Sequence, residues 1–203
     1  MIKFIGILGL LILPFMLSAQ SESEGQKNIA LLLVDVQNFY FPGDGPGLVN
    51  AEAASRNAKK VLELFRENQK LVVHVRHKAS KGFEFHENVL PLESEKIITK
   101  TEVNSFLGTD LLEYLQSHKI ERLVILGMQT HMCLEAAVRA AHDYGFECTV
   151  IEDACATKDL SFNGQVIKAN DVHLSTLNTL VSGGYATILN LSSFIEKKDQ
   201  FFK

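Results

Sequence analysis

Ile29-Ala30-Leu31-Leu32-Leu33-Val34-Asp35 is the stretch that decides the fold. Six apolar residues in a row, without alternation, suit a parallel strand covered on both faces. The run stops on a carboxylate, which must be solvated or paired because an unpaired buried charge is costly. Working outward, strand-like runs alternate with helical patterns. After Asn50, a residue suited to cap a helix, Ala54, Ala58, Val61, Leu62 and Phe65 recur at helical spacing. Residues 71–75 and 96–99 read as a second and a third strand. Residues 110–117 read as a helix with Leu111, Leu112 and Leu115 on one side. A fourth strand over 122–126 leads to a helix over 133–144, where Leu134, Ala137, Val138 and Ala141 share a face and Gly145 is the stop. A fifth strand over 147–151, a helix over 165–181 ending at Gly183-Gly184, and a sixth strand over 185–189 complete the pattern. The order predicts an α/β protein: a three-layer α/β/α sandwich on a mostly parallel six-stranded sheet with right-handed crossovers.

The chain has 203 residues, of which 46% are hydrophobic and 22% charged, so it suits one globular domain and excludes a disordered chain. A net charge of −4 gives no basic footprint for nucleic acid. The first residues read differently. Lys3, an apolar run over 4–17 and Ser18-Ala19 have the charged, apolar, small-residue order of a secretory signal peptide. The run is shorter than the roughly 20 residues a membrane-spanning helix needs. Cleavage is expected after Ala19, leaving one domain over 20–203; an uncleaved anchor is the alternative. The mature protein is then expected to be exported from a bacterial cell, periplasmic or secreted, without membrane attachment.

Three cysteines, Cys133, Cys148 and Cys155, leave at least one thiol free or paired between chains. Cys148 and Cys155 flank an extended run, and seven residues at about 3.3 Å each would hold them some 20 Å apart. A disulfide needs Cα atoms within about 7 Å, so no bridge is expected between them. Both read as small buried hydrophobes.

In a parallel sheet, ligands bind beyond the carboxyl ends of the strands. Asp35 ends the first strand, Lys100 follows the third, and Cys133 opens the helix after the fourth. Each alone has a plain structural reading: a paired strand-end carboxylate, a solvated lysine, a buried thiol. Together they converge on one edge. Cys133 would sit in the first turn of a helix capped by Thr130, where unpaired N–H groups and the helix dipole favour a thiolate. Asp35 would act as its general base and Lys100 would stabilise both anions.

At these residues the sequence resembles the isochorismatase-like cysteine hydrolases. Leu33-Val34-Asp35-Val36-Gln37-Asn38 is similar to that family's opening motif. Lys100-Thr101-Glu102-Val103-Asn104-Ser105-Phe106 is similar to its lysine segment, and Gly127-Met128-Gln129-Thr130-His131-Met132-Cys133 to its nucleophile segment. Asp153-Ala154-Cys155-Ala156-Thr157 resembles a further signature, and Val172-His173-Leu174 falls in the family's late helix. The resemblance implies a catalytic triad of Asp35, Lys100 and Cys133, and a cis peptide at Met128–Gln129. It also implies an oxyanion hole formed by the backbone N–H groups of Gln129 and Cys133. The expected activity is cleavage of an amide, imide or ureido C–N bond of a small molecule. The alternatives are vinyl-ether cleavage of the isochorismatase type, which does not need the cysteine, and a binding relative that has lost turnover.

By the same resemblance, Phe39, Phe83 and Phe106 are candidate pocket walls, with core packing as the other reading of each. Asn104 and Gln129 are candidates to orient a polar substrate group; so is His131, unless it only caps. His173 is expected to pack or to meet another subunit, and a homo-oligomer is expected. Nicotinamidases of the family bind a metal through Asp-x-His and a further His, but after Asp44 this chain has Gly-Pro-Gly. His74 and His77 are three apart along a strand, so they point to opposite faces and chelate poorly. No catalytic metal and no cofactor are expected. Gly43-Asp44-Gly45-Pro46-Gly47 reads as a turn, because a dinucleotide-binding loop would follow the strand directly and open a helix.

Overall fold

The structure, a computed structural model, describes residues 28–43 and 47–203. The leader and most of the Gly43–Gly47 turn lie outside the described residues. Six strands form one sheet: β1 (Asn28–Val34), β2 (Leu71–His77), β3 (Lys96–Lys100), β4 (Ile120–Met128), β5 (Glu147–Ala156) and a short last strand at Thr187–Leu189. The order runs β3-β2-β1-β4-β5 and then the last strand, and every pairing is parallel. β1 is central and buried along Ile29–Val34, as its unbroken apolar run requires.

Helix α1 (Ala51–Glu67) joins β1 to β2, α2 (Leu111–Ser117) joins β3 to β4, and α3 (Glu135–Asp143) joins β4 to β5. The chain winds outward from β1 to β3, then returns to the other side of β1 with β4. Asp35 and Cys133 therefore sit at the switch point between β1 and β4, where a doubly wound sheet opens a crevice. α1 turns Ala54, Ala58, Val61, Leu62 and Phe65 into the core, the positions that its spacing marks.

Several elements depart from the sequence reading. Asn50 makes no side-chain cap; it takes a left-handed conformation with φ 62° and turns the chain into α1. The helix expected from 165 begins later, as α4 (Ala169–Ser182). Before it stands a hairpin of β6 (Leu160–Phe162) and β7 (Gln165–Ile167). Asn163-Gly164 closes the hairpin with φ 50° and 75°, the turn geometry that an Asn-Gly pair favours. The last strand, β8 (Thr187–Leu189), is shorter than expected, and two further helices follow, α5 (Leu191–Glu196) and α6 (Lys198–Phe202). They cover α1 through Phe194 and Phe202, whose rings lie 6.4 and 5.1 Å from that of Phe65. No helix among the described residues is long and apolar enough to cross a membrane.

Candidate active site

The site is assembled where β1, β3 and β4 end. Asp35, the residue after β1, has φ 52°, in the left-handed region that Asp tolerates better than most residues. Its N–H donates to Val75 O at 2.9 Å and its carbonyl accepts from Gln37 N–H at 2.9 Å, so the carboxylate is set by a tight turn. β4 passes close beside it. A Cβ at Gly127 would stand 1.9 Å from Val34 O, so only glycine allows that approach. The Met128–Gln129 peptide bond that follows is cis.

Cys133 does not lie in the first turn of an α-helix. It lies in a π-helical turn, Thr130–Leu134, which precedes α3. Thr130 is no cap either. Its hydroxyl is 2.9 Å from His173 Nδ1 and 3.3 Å from Ala156 O, which ties the turn to β5 and α4.

Lys100, the last residue of β3, points into the sheet's interior. Its Nζ is 2.7 Å from Asp35 Oδ2, and both side chains have no exposed surface. The approach is poorly angled for a hydrogen bond, so the contact is chiefly ionic. The Cys133 sulfur lies within 4.8 Å of the Asp35 carboxylate and of the His77 ring, inside the field of both Asp35 and Lys100. Burial pushes the Cys133 thiol up to about 12, Asp35 adds to this, and Lys100 partly opposes it. The low thiol pKa expected from helix position is therefore corrected: in this dry site desolvation outweighs the helix terminus. Burial also raises Asp35, against the pull of Lys100. The resting sulfur is a thiol beside a carboxylate of raised proton affinity.

Two neighbours are not among the expected site residues: Tyr40, and His77, which the sequence reading weighs only as a metal ligand. Tyr40 is half-buried; burial and then the charges of Asp35 and Cys133 push its phenol up, and the Gln129 amide partly opposes this. His77 Nδ1 lies 3.1 Å from Lys100 Nζ. The signal for His77 was present, since it ends β2 beside Lys100 at the end of β3. Tyr40 lies in a short turn, Asn38–Tyr40, that no periodicity marks.

The predicted binding residues divide. Gln129 is buried and its Oε1 has no hydrogen-bond partner. Phe39 packs on Tyr40 with ring centroids 4.2 Å apart, and Phe83 lies under the Arg76 guanidinium at 4.2 Å. Their segments are joined over the site by Asn38 N–H to Glu84 O and Phe39 N–H to Gly82 O, at 3.0 and 3.1 Å. Phe106 is not a pocket wall. It is buried in the core against Tyr144 and Phe146, at 5.3 and 6.3 Å, by the end of α3 remote from Cys133. Asn104 accepts the Phe106 N–H at 2.9 Å and so shapes that turn. His131 Nδ1 is 2.6 Å from Thr157 Oγ1, so it braces the turn that carries Cys133.

Asp35, His77 and Cys133 hold potential metal-ligand atoms within 4.8 Å of one another. The Lys100 ammonium touches two of the three, and its charge makes the space hostile to a dication. His74 has a separate task, bonding Glu95 Oε2 at 2.9 Å. All three cysteines are free. Cys148 and Cys155 lie along the one strand β5, and their thiols donate to backbone carbonyls.

Comparison with known proteins gives the family. The family model for the isochorismatase domain matches residues 29–176. An isochorismatase family protein of Bacillus subtilis, YddQ, is 40% identical over 178 residues, covering 82% of this chain and 98% of its own. Streptothricin hydrolase of Streptomyces noursei is 30% identical over 140 residues, 64% of this chain and 55% of that protein. The crystal structure of a candidate isochorismatase hydrolase from Oleispira antarctica superposes with a TM-score of 0.80 at 41% identity, covering 84% of this chain and 97% of that one. The chain belongs to the isochorismatase family of hydrolases.

Proposed function

We propose that this hydrolase cleaves a C–N bond, amide, imide or ureido, of a small molecule through a thioester on Cys133. The observation that carries the reading is the meeting of one sulfur, one carboxylate and one ammonium in a buried site, with Asp35 and Lys100 2.7 Å apart and the sulfur within 4.8 Å of the carboxylate. In the proposed scheme Asp35 takes the thiol proton as sulfur attacks the carbonyl carbon. The backbone N–H groups of Gln129 and Cys133 receive the oxyanion; one such donor is typically worth about 2.7–4 kcal/mol in the transition state. Asp35 then passes its proton to the departing amine or ammonia. Water, deprotonated by Asp35, hydrolyses the thioester and returns the free thiol and an acid. Lys100 keeps its charge against both groups throughout.

The partnerless Gln129 Oε1 supports a substrate that brings an N–H, since a buried acceptor without a donor is costly. The relation to a streptothricin hydrolase supports hydrolysis of a small molecule. Small amides, ureas and ureido acids scored for ammonia release, with Cys133→Ala as control, test the reading. Turnover that survives Cys133→Ala would favour vinyl-ether cleavage. Export is also proposed, on the charged and apolar order of residues 3–19, and mass spectrometry of the secreted protein checks it. Self-association is proposed on the exposed Phe162, Val166 and Ile167 of the hairpin, and sedimentation velocity checks it.

A further inference from the structure

The scheme above gives His77 no task, yet it lies inside the site. Its Nδ1 is 3.1 Å from Lys100 Nζ. An ammonium has three N–H donors and no acceptor. Lys100, with its side chain fully buried, meets Asp35 Oδ2 at 2.7 Å in a chiefly ionic contact and hydrogen-bonds His77 Nδ1 at 3.1 Å. The contact with His77 fixes the state of the imidazole. A ring nitrogen that accepts from an ammonium holds no proton, so the ring's hydrogen must be on Nε2.

The position of His77 is prepared by the backbone. The β2–β3 register sets it directly opposite Lys100. Gln37, fully buried, clamps it from the other side. Gln37 Oε1 accepts the His77 N–H at 2.7 Å, and Gln37 Nε2 donates to the His77 carbonyl at 3.0 Å and to the Phe83 carbonyl at 2.8 Å. Gln37 is two residues beyond Asp35, so the turn that sets the carboxylate also sets the histidine.

We propose that His77 is a positioning residue, a neutral imidazole whose Nδ1 accepts from the Lys100 ammonium and holds that charge against Asp35 and Cys133. Without it, one buried N–H of a charged group lacks a partner, which is costly. The ammonium would then turn toward another acceptor and away from the sulfur. The hydrogen bonding stands apart from any chemistry; only its effect on rate rests on Cys133 being the nucleophile.

Two measurements on the full chain test this. The first is the tautomer of His77, read from nitrogen-15 shifts of histidine-labelled protein and assigned by the signal lost in His77→Asn. The hydrogen is expected on Nε2; finding it on Nδ1 overturns the proposal. The second is the rate of Cys133 alkylation by iodoacetamide in the wild type, His77→Leu and His77→Asn, with thermal melts showing that each is folded. Asn puts an amide oxygen near the place of Nδ1 and restores the acceptor. His77→Leu is expected to slow alkylation about tenfold, the effect of a one-unit rise in the thiol pKa, and His77→Asn to stay within about threefold. Equal slowing in both variants, or none in either, overturns the proposal. If wild-type Cys133 labels no faster than Cys148 and Cys155 while His77 carries its hydrogen on Nε2, the nucleophile reading fails and the wiring of Lys100 stands.

Discussion

Cys133, 5% exposed, carries a thiol that burial pushes up, so the proposed scheme needs a base, and Asp35 is the carboxylate beside it. On that scheme Asp35→Asn leaves no base, so turnover should fall by at least about 100-fold, measured as kcat/KM on whichever amide the panel identifies. On the same scheme this carboxylate sets the acid limb of the pH–rate profile. Burial holds Asp35 above its ordinary 3.8, with Lys100 opposing. Activity should therefore be lost at a pH above that of a solvated aspartate, and Lys100→Met should move the limb higher still. Lys100→Met also leaves Asp35 buried without its counter-charge, which should cost about 3–5 kcal/mol of stability in a denaturant titration. Tyr40, with its phenol pushed up by burial and then by Asp35, remains a neutral hydroxyl.

At the scale of elements, the edge that carries Asp35 and Cys133 depends on how closely β4 passes β1. Gly127 has φ 131° and no room for a side chain against Val34 O. Gly127→Ala must push the two strands apart, so it should cost more than about 3 kcal/mol and lose activity even where the fold survives. Thermal denaturation with near-ultraviolet circular dichroism checks this. The π-helical turn Thr130–Leu134 continues from that passage, and Thr130 and His131 fasten it to His173 and Thr157. The position of the sulfur is thus a property of β4, β5 and α4 together.

Across the whole molecule, a second, half-buried charge network ties α1 and β2 to the segment before β3. Glu95 accepts from Arg66 at 2.8 Å and from the Leu92 N–H at 2.9 Å, and lies 2.9 Å from His74. Burial raises Glu95, but the bonds from Arg66, His74 and Leu92 outweigh it and hold the carboxyl at about 2, below an ordinary 4.5. A lowered carboxyl stabilises the fold above its ordinary value, and that stability drains as pH falls toward 2. Acid titration of the wild type should show a loss of stability between these limits that Glu95→Gln lacks. Phe65, fully buried between the sheet and α5 and α6, carries the opposite layer. Phe65→Ala should cost about 3–5 kcal/mol, measured by chemical denaturation.

The sequence by itself determined the layered fold. Unbroken apolar runs can be buried only between two layers, and helical spacing supplies those layers. It also placed Asp35, Lys100 and Cys133, because each follows a strand at the same edge. Where local pattern and local chemistry disagree, pattern misled: residues 165–167 fit a helical period, but Asn163-Gly164 is a hairpin turn and won. Phe106 looked like a wall residue from its place after Lys100, but only its packing against Tyr144 and Phe146 shows that the chain carries it away. The tertiary structure alone decided the protonation of the site. A thiol near a helix start tends to ionise, but the depth of burial and the neighbouring carboxylate, neither visible along the chain, reverse that tendency. Strand register decided the rest, bringing His77 to Lys100 from 23 residues away.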